Sequence, residues 1–148
     1  MSRSHFNAFE GIKYRRRKGG SLMETILVMP ILISLGFGVV DYGYCIYLTN
    51  TFQSAAQAGA RAGIPNAAAN SDVTNVISAQ LTAAGISSSN YSVTLSPSSV
   101  SGLTAGTNIT VTITGTWNNL GTKILPSIFG GINGNKQITG LAVVQKEP

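Results

Sequence analysis

The chain has 148 residues, a length that suits one small domain or a membrane anchor followed by a smaller domain. Aromatic residues make up 7% of it, so it can bury only one limited core. Six of its ten basic residues lie within residues 1–19 beside one glutamate, and this segment accounts for the formal net charge of +5. A charge confined to a tail gives no support to a nucleic-acid-binding face, which needs basic residues spread over a folded surface.

A long apolar run follows the basic cluster at residues 15–18, which predicts a cytoplasmic amino terminus and an exported carboxy-terminal part. The run from Thr25 to Leu48 is about 24 residues, roughly 36 Å as a helix, against a hydrocarbon core of about 30 Å. Pro30 and several glycines interrupt it, as membrane helices tolerate when neighbouring helices cover the freed backbone. A secretory signal cut near Ala56–Ala58 is the alternative, but its apolar region would be about 7–15 residues and would end near the cut.

One carboxylate, Glu24, stands at the edge of this run, shortly after two glycines. It either reaches back to the interface or needs a counter-charge, because an unpaired carboxylate is costly near a membrane interior. Cleavage between Gly19 and Gly20 would make Glu24 the fifth residue of the mature chain and would create an ammonium at Gly20. That amine, from the same or a neighbouring subunit, is a suitable counter-charge, and Glu24 would then set the register of assembly.

This order of features resembles the type IV prepilin signal, and the wider pattern is similar to the TadE-like proteins of Tad (Flp-type) pilus systems. The segments that carry it are GGSLMETILVMP, GFGVVDYGYCIYLTN and FQSAAQAGARAG, with Pro30 six residues after Glu24 and an acid–aromatic–glycine series at Asp41, Tyr42 and Gly43. The similarity covers about residues 15–63 well. It is looser afterwards, where NITVTITGTW, LPSIF and ITGLAVVQKE are similar in kind to the strand-rich end of the family.

The resemblance implies cleavage by a prepilin peptidase and assembly through the amino-terminal helix. Two departures from the pattern bear on this. Flp-type signals often have an aromatic residue after the glutamate, where this chain has Thr25. Two adjacent glycines leave a cut at Gly19/Gly20 or at Gly20/Ser21 open, although only the first places Glu24 fifth.

Beyond the apolar run, Ala55, Gly59 and Gly63 recur at four-residue spacing and would form one stripe on a helix. Such a stripe lets another element approach closely, so it would pack either between subunits or against the protein's own sheet. Arg61 lies off the stripe and is expected to be solvated or paired with a carboxylate. Pro65 predicts the end of the helix.

A second, structural helix is predicted from Asp72 to Ala84, capped by Ser71 or Asp72, with one apolar face of Val73, Val76, Ile77 and Leu81. Alternation of apolar and polar residues then predicts half-buried strands at 91–96 and 109–114. Residues 138–145 form a third candidate strand, more continuously apolar and therefore expected in the centre of the sheet. The long connection before it carries Ile124, Leu125, Ile128 and Phe129, which would fold back onto the core or form a contact loop.

The residues offer little for catalysis or metal binding. The only histidine, His5, lies in the leader, and the only cysteine, Cys45, lies in the apolar run, as a small apolar residue or a bridge between subunits. The carboxylates beyond the leader lie on different predicted elements, so no acid–base pair is expected. Asp41 should lie near the outer edge of the bilayer, either exposed beside Tyr42 and Tyr44 or in contact with another subunit. We therefore predict no enzyme activity, no cofactor and no metal site.

The predicted fold is α+β and pilin-like: a long membrane-spanning helix that continues as a periplasmic rod, a short second helix, and a small, mostly antiparallel sheet of three or four strands. Residues 1–19 would be a basic cytoplasmic leader that is cleaved, 20–64 the transmembrane and extended helix, and 65–148 an exported domain.

The predicted function is that of a minor pilin or pseudopilin of a Tad-type pilus. A major filament subunit and a membrane-anchored or secreted surface-binding domain are the alternatives. Expected partners are prepilin peptidase, other pilus subunits, the inner-membrane assembly platform, membrane lipid and a host or other surface. The expected location is the inner membrane and, after assembly, the surface pilus.

Overall fold

A computed structural model of the chain describes residues 19–124, 126 and 130–148. Residues 1–18 of the leader and three of the four apolar residues of the long connection (Leu125, Ile128 and Phe129) lie outside the described residues. The elements are α1 (Gly19–Ala62), α2 (Asn70–Ala83), a 3₁₀ turn (Ser88–Asn90), β1 (Tyr91–Ser96), β2 (Asn108–Thr116), α3 (Trp117–Leu120) and β3 (Gln137–Gln145). The predicted α+β arrangement with an antiparallel sheet is confirmed, and the described sheet has three strands.

Helix α1 contains 44 residues and belongs to two units, one that ends at Leu32 and one that begins at Ile33. The first part is apolar and exposed. In the second part, Leu48, Phe52 and Ala56 are fully buried and belong to the core of the folded domain. The helix ends at Ala62, three residues before Pro65, as the steric restriction before a proline predicts.

The sheet has the order β1-β2-β3, with Ile113 of β2 opposite Val93 of β1 and Gly140 of β3. One face of the sheet packs on the core, because Ile109, Val111 and Ile113 are fully buried. The threonines that alternate with them are half-buried on the other face. The predicted two-residue alternation therefore reflects one face packed on the core and one face more exposed to solvent.

The expected central position of the third strand is wrong, because β2 occupies the centre and β3 is an edge. The apolar run in β3 does not arise from burial of both faces of the strand. Ile138 and Ala142 point into the core, whereas Leu141 and Val143 are 49% and 54% exposed on the opposite face.

Helix α1 and strand β3 approach each other closely at Gly140. A Cβ built on Gly140 would lie 2.3 Å from the carbonyl carbon and oxygen of Phe52, so only glycine fits there. Next to this contact, the Gln53 amide nitrogen donates to the Leu141 carbonyl oxygen at 2.7 Å, and the Leu141 N–H donates to the Gln53 amide oxygen at 3.1 Å. The side chain of Gln53 thus supplies hydrogen bonds to the backbone of an edge strand.

Helix α2 begins at Asn70 and ends at Ala83, within two residues of the predicted bounds. Asp72 accepts a hydrogen bond from the Ala69 N–H at 2.8 Å and so satisfies a free donor at the helix start. Val73, Ile77 and Leu81 are buried as predicted, whereas Val76 is 39% exposed and lies outside that face.

Candidate functional site

The first half of α1 presents an apolar surface that the described residues do not cover. Its most exposed side chains have between 65% and 73% of their surface accessible; they are Leu22, Met23, Leu27 and Ile31 before residue 32, and Leu35 and Val39 after it. The segment Leu22–Ala62 is long and apolar enough to cross a membrane. So large an apolar surface is rare on soluble monomers and indicates burial in lipid or against other helices.

Glu24 lies on this surface. It is exposed and lines a shallow groove along the helix with Val28 and Leu32, which follow at four-residue intervals. Gly20 lies four residues earlier, so an amine created there would be about one helical turn from the carboxylate. A Cβ at Gly20 would meet no atom within 4 Å, and Pro30 lies inside the helix as predicted. Cleavage itself and the pairing of Glu24 stay predictions.

Asp41 has a different environment from the one expected at a membrane interface. Its side chain is fully buried, so the expectation of interfacial exposure is wrong. The Thr122 hydroxyl, from the connection after α3, donates a hydrogen bond to Asp41 Oδ1. A buried carboxylate needs such donors, because its desolvation is costly without them. Asp41 and Thr122 are separated by 80 residues in the sequence, so sequence periodicity does not reveal their contact.

We expect Asp41 and Thr122 to be energetically coupled. Asp41→Ala and Thr122→Val, measured singly and together by thermal unfolding in detergent, should show a coupling free energy of about 1–3 kcal/mol, because loss of either side chain leaves the other without this hydrogen bond. Thr104→Val is the control, since the Thr104 hydroxyl bonds that of Thr107 in the β1–β2 loop. Its effect should add to that of Asp41→Ala, and equal coupling for both threonines would contradict the assignment.

The two other residues of the acid–aromatic–glycine series point outward. Tyr42 is 50% exposed, and a Cβ at Gly43 would meet no atom within 4 Å. Tyr44 is instead half-buried, with its ring edge-on to Trp117 at a centroid distance of 6.2 Å. Tyr42 and Gly43 are therefore available to a partner, whereas Tyr44 packs within the domain.

The small-residue stripe is occupied by the protein's own elements. A Cβ at Gly59 would lie 2.5 Å from Cγ1 of Ile77 in α2. A Cβ at Gly63 would lie 3.3 Å from Val73 and 3.7 Å from Ile109, and Ala55 is fully buried. Of the two uses left open by the sequence, the structure supports packing within the chain, and it adds α2 to the sheet as the covering element.

A buried lysine at the carboxy-terminal end of β3 was not predicted from the sequence. Lys146 is only 2% exposed, and its ammonium donates to the carbonyl oxygens of Gly63, Pro65 and Val100 at 3.2, 2.5 and 3.1 Å. The first two carbonyls lie just beyond the end of α1, where backbone acceptors lack helical partners. Nothing in the local sequence distinguishes this lysine from an exposed one.

Among the described residues, no cluster of histidine, cysteine or acidic residues could hold a metal ion. Cys45 is a buried free thiol at the edge of the core. Arg61 is exposed and forms no ion pair with a described carboxylate. The described arrangement thus offers an exposed apolar helix and a packed domain as its functional features.

The model of the family described as TadE-like protein matches residues 19–61, which is almost all of α1. The resemblance predicted from the sequence is confirmed over this helix. The match makes residues 19–61 of this chain similar to the corresponding segment of TadE-like proteins. Neither the comparison with curated proteins nor the comparison with solved structures returned a match.

Proposed function

We propose that this chain, whose helix α1 is TadE-like, is a prepilin-like structural subunit of a Tad-type pilus, in the role of a minor pilin or pseudopilin. The observation that carries the proposal is the family match over residues 19–61, on a helix whose first half is apolar and exposed. An assembly subunit needs such a helix, since subunits must leave lipid and pack against each other without losing apolar burial.

The helix would first act as a membrane anchor, with the leader in the cytoplasm and residues 65–148 exported. A prepilin peptidase of the inner membrane would cut between Gly19 and Gly20. The new ammonium at Gly20 and the carboxylate of Glu24 carry opposite charges one helical turn apart, so they can pair within one subunit or across two. An unpaired carboxylate would disfavour entry into a helical bundle, which makes the pair a register for assembly.

The positions Pro30, Tyr42 and Gly43 would belong to the assembly surface. Tyr42 and Gly43 face outward and are free for contact with other subunits or the assembly platform. Asp41 would contribute indirectly, because its bond to Thr122 holds the connection after α3 against the same helix.

A membrane-anchored or secreted surface-binding domain is the second candidate. The uncovered face of the sheet favours it, because that face carries a row of hydroxyls that includes the hydrogen-bonded pair Ser92 and Thr114, 2.7 Å apart. The amino-terminal residue of the mature protein, determined by mass spectrometry of membrane and surface-fibre fractions, separates the candidates. Gly20 supports the pilus subunit, whereas Gly59 or Met1 contradicts it. High abundance in sheared fibres would indicate a major rather than a minor subunit.

We expect Glu24→Ala to leave membrane insertion and the Gly20 terminus intact while recovery with pilus partners falls at least about tenfold. The physical reason is that the partner's ammonium loses its counter-charge in a low-dielectric bundle. Affinity purification of the full chain from membranes, with quantitative mass spectrometry of the co-purified subunits, measures this. Thr25→Ala is the matched control in the same helical turn, and unchanged recovery for Glu24→Ala would exclude Glu24 as the assembly register.

A further inference from the structure

On the outer edge of strand β3, the backbone of one residue is hydrogen-bonded to α1. The backbone of the next outward-facing residue receives no hydrogen bond from a described residue. The Leu141 N–H and carbonyl both bond to Gln53, so they point away from β2. In an antiparallel strand this orientation recurs at every second residue, which directs the N–H and carbonyl of Val143 outward too. No hydrogen bond from a described residue reaches the Val143 backbone.

A groove of about 430 Å³ runs beside this open edge, between α1 and β3. Gln57 and Arg61 line it from the helix, and Val143 and Val144 line it from the strand. Strand β3 contains no charged residue and no proline, the usual means by which proteins protect an exposed edge against pairing. Leu141 and Val143 instead expose about half of their apolar surface beside it.

We propose that this groove receives a short extended segment of a different protein, which adds to the sheet beside Val143 and places a carboxylate against Arg61. Backbone hydrogen bonds to Val143 would supply the pairing, as in other cases of strand addition. The alternation of side chains along the added strand sets the chemistry of the partner. Residues on the outer face would be apolar and contact Leu141 and Val143, while those on the inner face would reach α1.

The charge complementarity comes from Arg61. It is exposed at the groove and forms no ion pair with a described carboxylate, so an acidic residue on the inner face of the added strand can form a charge-assisted hydrogen bond with it. Gln53 limits the addition, because its amide already occupies the backbone positions of Leu141. The partner should therefore pair with the end of β3 near Val143 and not with its whole length.

In-cell photo-crosslinking of the full chain tests this proposal. A photoreactive amino acid replaces Gln57 in the groove, and a second version carries it at Thr94, exposed on the outer face of β1. We expect an adduct from position 57 whose crosslinked peptide carries apolar residues at alternate positions and an acidic residue between them. Its yield should fall at least about tenfold in Val143→Pro, which removes the outward N–H and the exposed valine side chain beside it, and in Arg61→Glu. Lys136→Glu reverses an exposed charge outside the groove and should leave the yield unchanged.

Three results would overturn the proposal: equal yield in Val143→Pro and Arg61→Glu, a position-57 adduct only with a second copy of this chain, or no more adduct at position 57 than at position 94. Thermal unfolding monitored by Trp117, the only tryptophan, verifies that both variants remain folded. The outcome is independent of pilus membership, because the Gly20 terminus tests that function separately.

Discussion

Gly59→Leu should lower the free energy of unfolding of the domain by about 3 kcal/mol. The first added carbon would already lie 2.5 Å from Cγ1 and 2.6 Å from Cδ1 of Ile77, well inside van der Waals contact. Ile77 is fully buried between α1 and the rest of the core, so it cannot rotate into open space. Helix α2 would have to move away from α1, which would open the core at Val73 and Leu81 as well.

Thermal unfolding of the full chain in detergent, followed by the fluorescence of the buried Trp117, measures this effect. Gly43→Leu is the matched control on the same helix, because a Cβ at Gly43 meets no atom within 4 Å. The control should unfold at or above the wild-type temperature, because leucine favours a helix more than glycine does. If Gly59→Leu did so too while assembly into fibres failed, the stripe would pack between subunits and the contact with α2 would be incidental.

Lys146→Met should lower the free energy of unfolding by about 3 kcal/mol, because it removes the shared donor from three carbonyl oxygens, two of them in buried hydrogen bonds. Methionine keeps most of the apolar stem, so the loss reports the ammonium and not a large cavity. The Gly63 and Pro65 carbonyls follow α1, the Val100 carbonyl lies in the loop between β1 and β2, and Lys146 directly follows β3. One ammonium therefore joins three parts of the chain that are distant in sequence.

Lys136→Met provides the comparison, since Lys136 is exposed just before the other end of β3. It should change the stability by no more than about 0.5 kcal/mol. Hydrogen exchange adds a local measurement: Lys146→Met should increase exchange of the amides that follow α1. Equal stability of the two variants would mean that water replaces the ammonium at the carbonyls.

The elements themselves could be predicted because their signals are local. Each signal depends on neighbours within one turn or one strand. The signals are a 24-residue apolar run, Pro65 after a helical pattern, and strict alternation of apolar and polar residues at 91–96 and 109–114. The candidate site on the first half of α1 was equally accessible, since Glu24, Pro30 and the two glycines are recognised by their order. The edge position of β3 could not be predicted, because a continuous apolar run arises both in a central strand and in an edge strand with an apolar outer face.

Hydropathy, periodicity and motif order were sufficient to predict the membrane-length helix, the α+β class and the TadE-like character of residues 19–61. Three contacts could be found only in the folded chain: Gly59 against Ile77, the buried Asp41 against Thr122, and Lys146 against the carbonyls that follow α1. Each of these contacts joins residues that are distant in the chain. The balance between desolvation and a new partner is set when the elements pack, so local pattern carries no record of it.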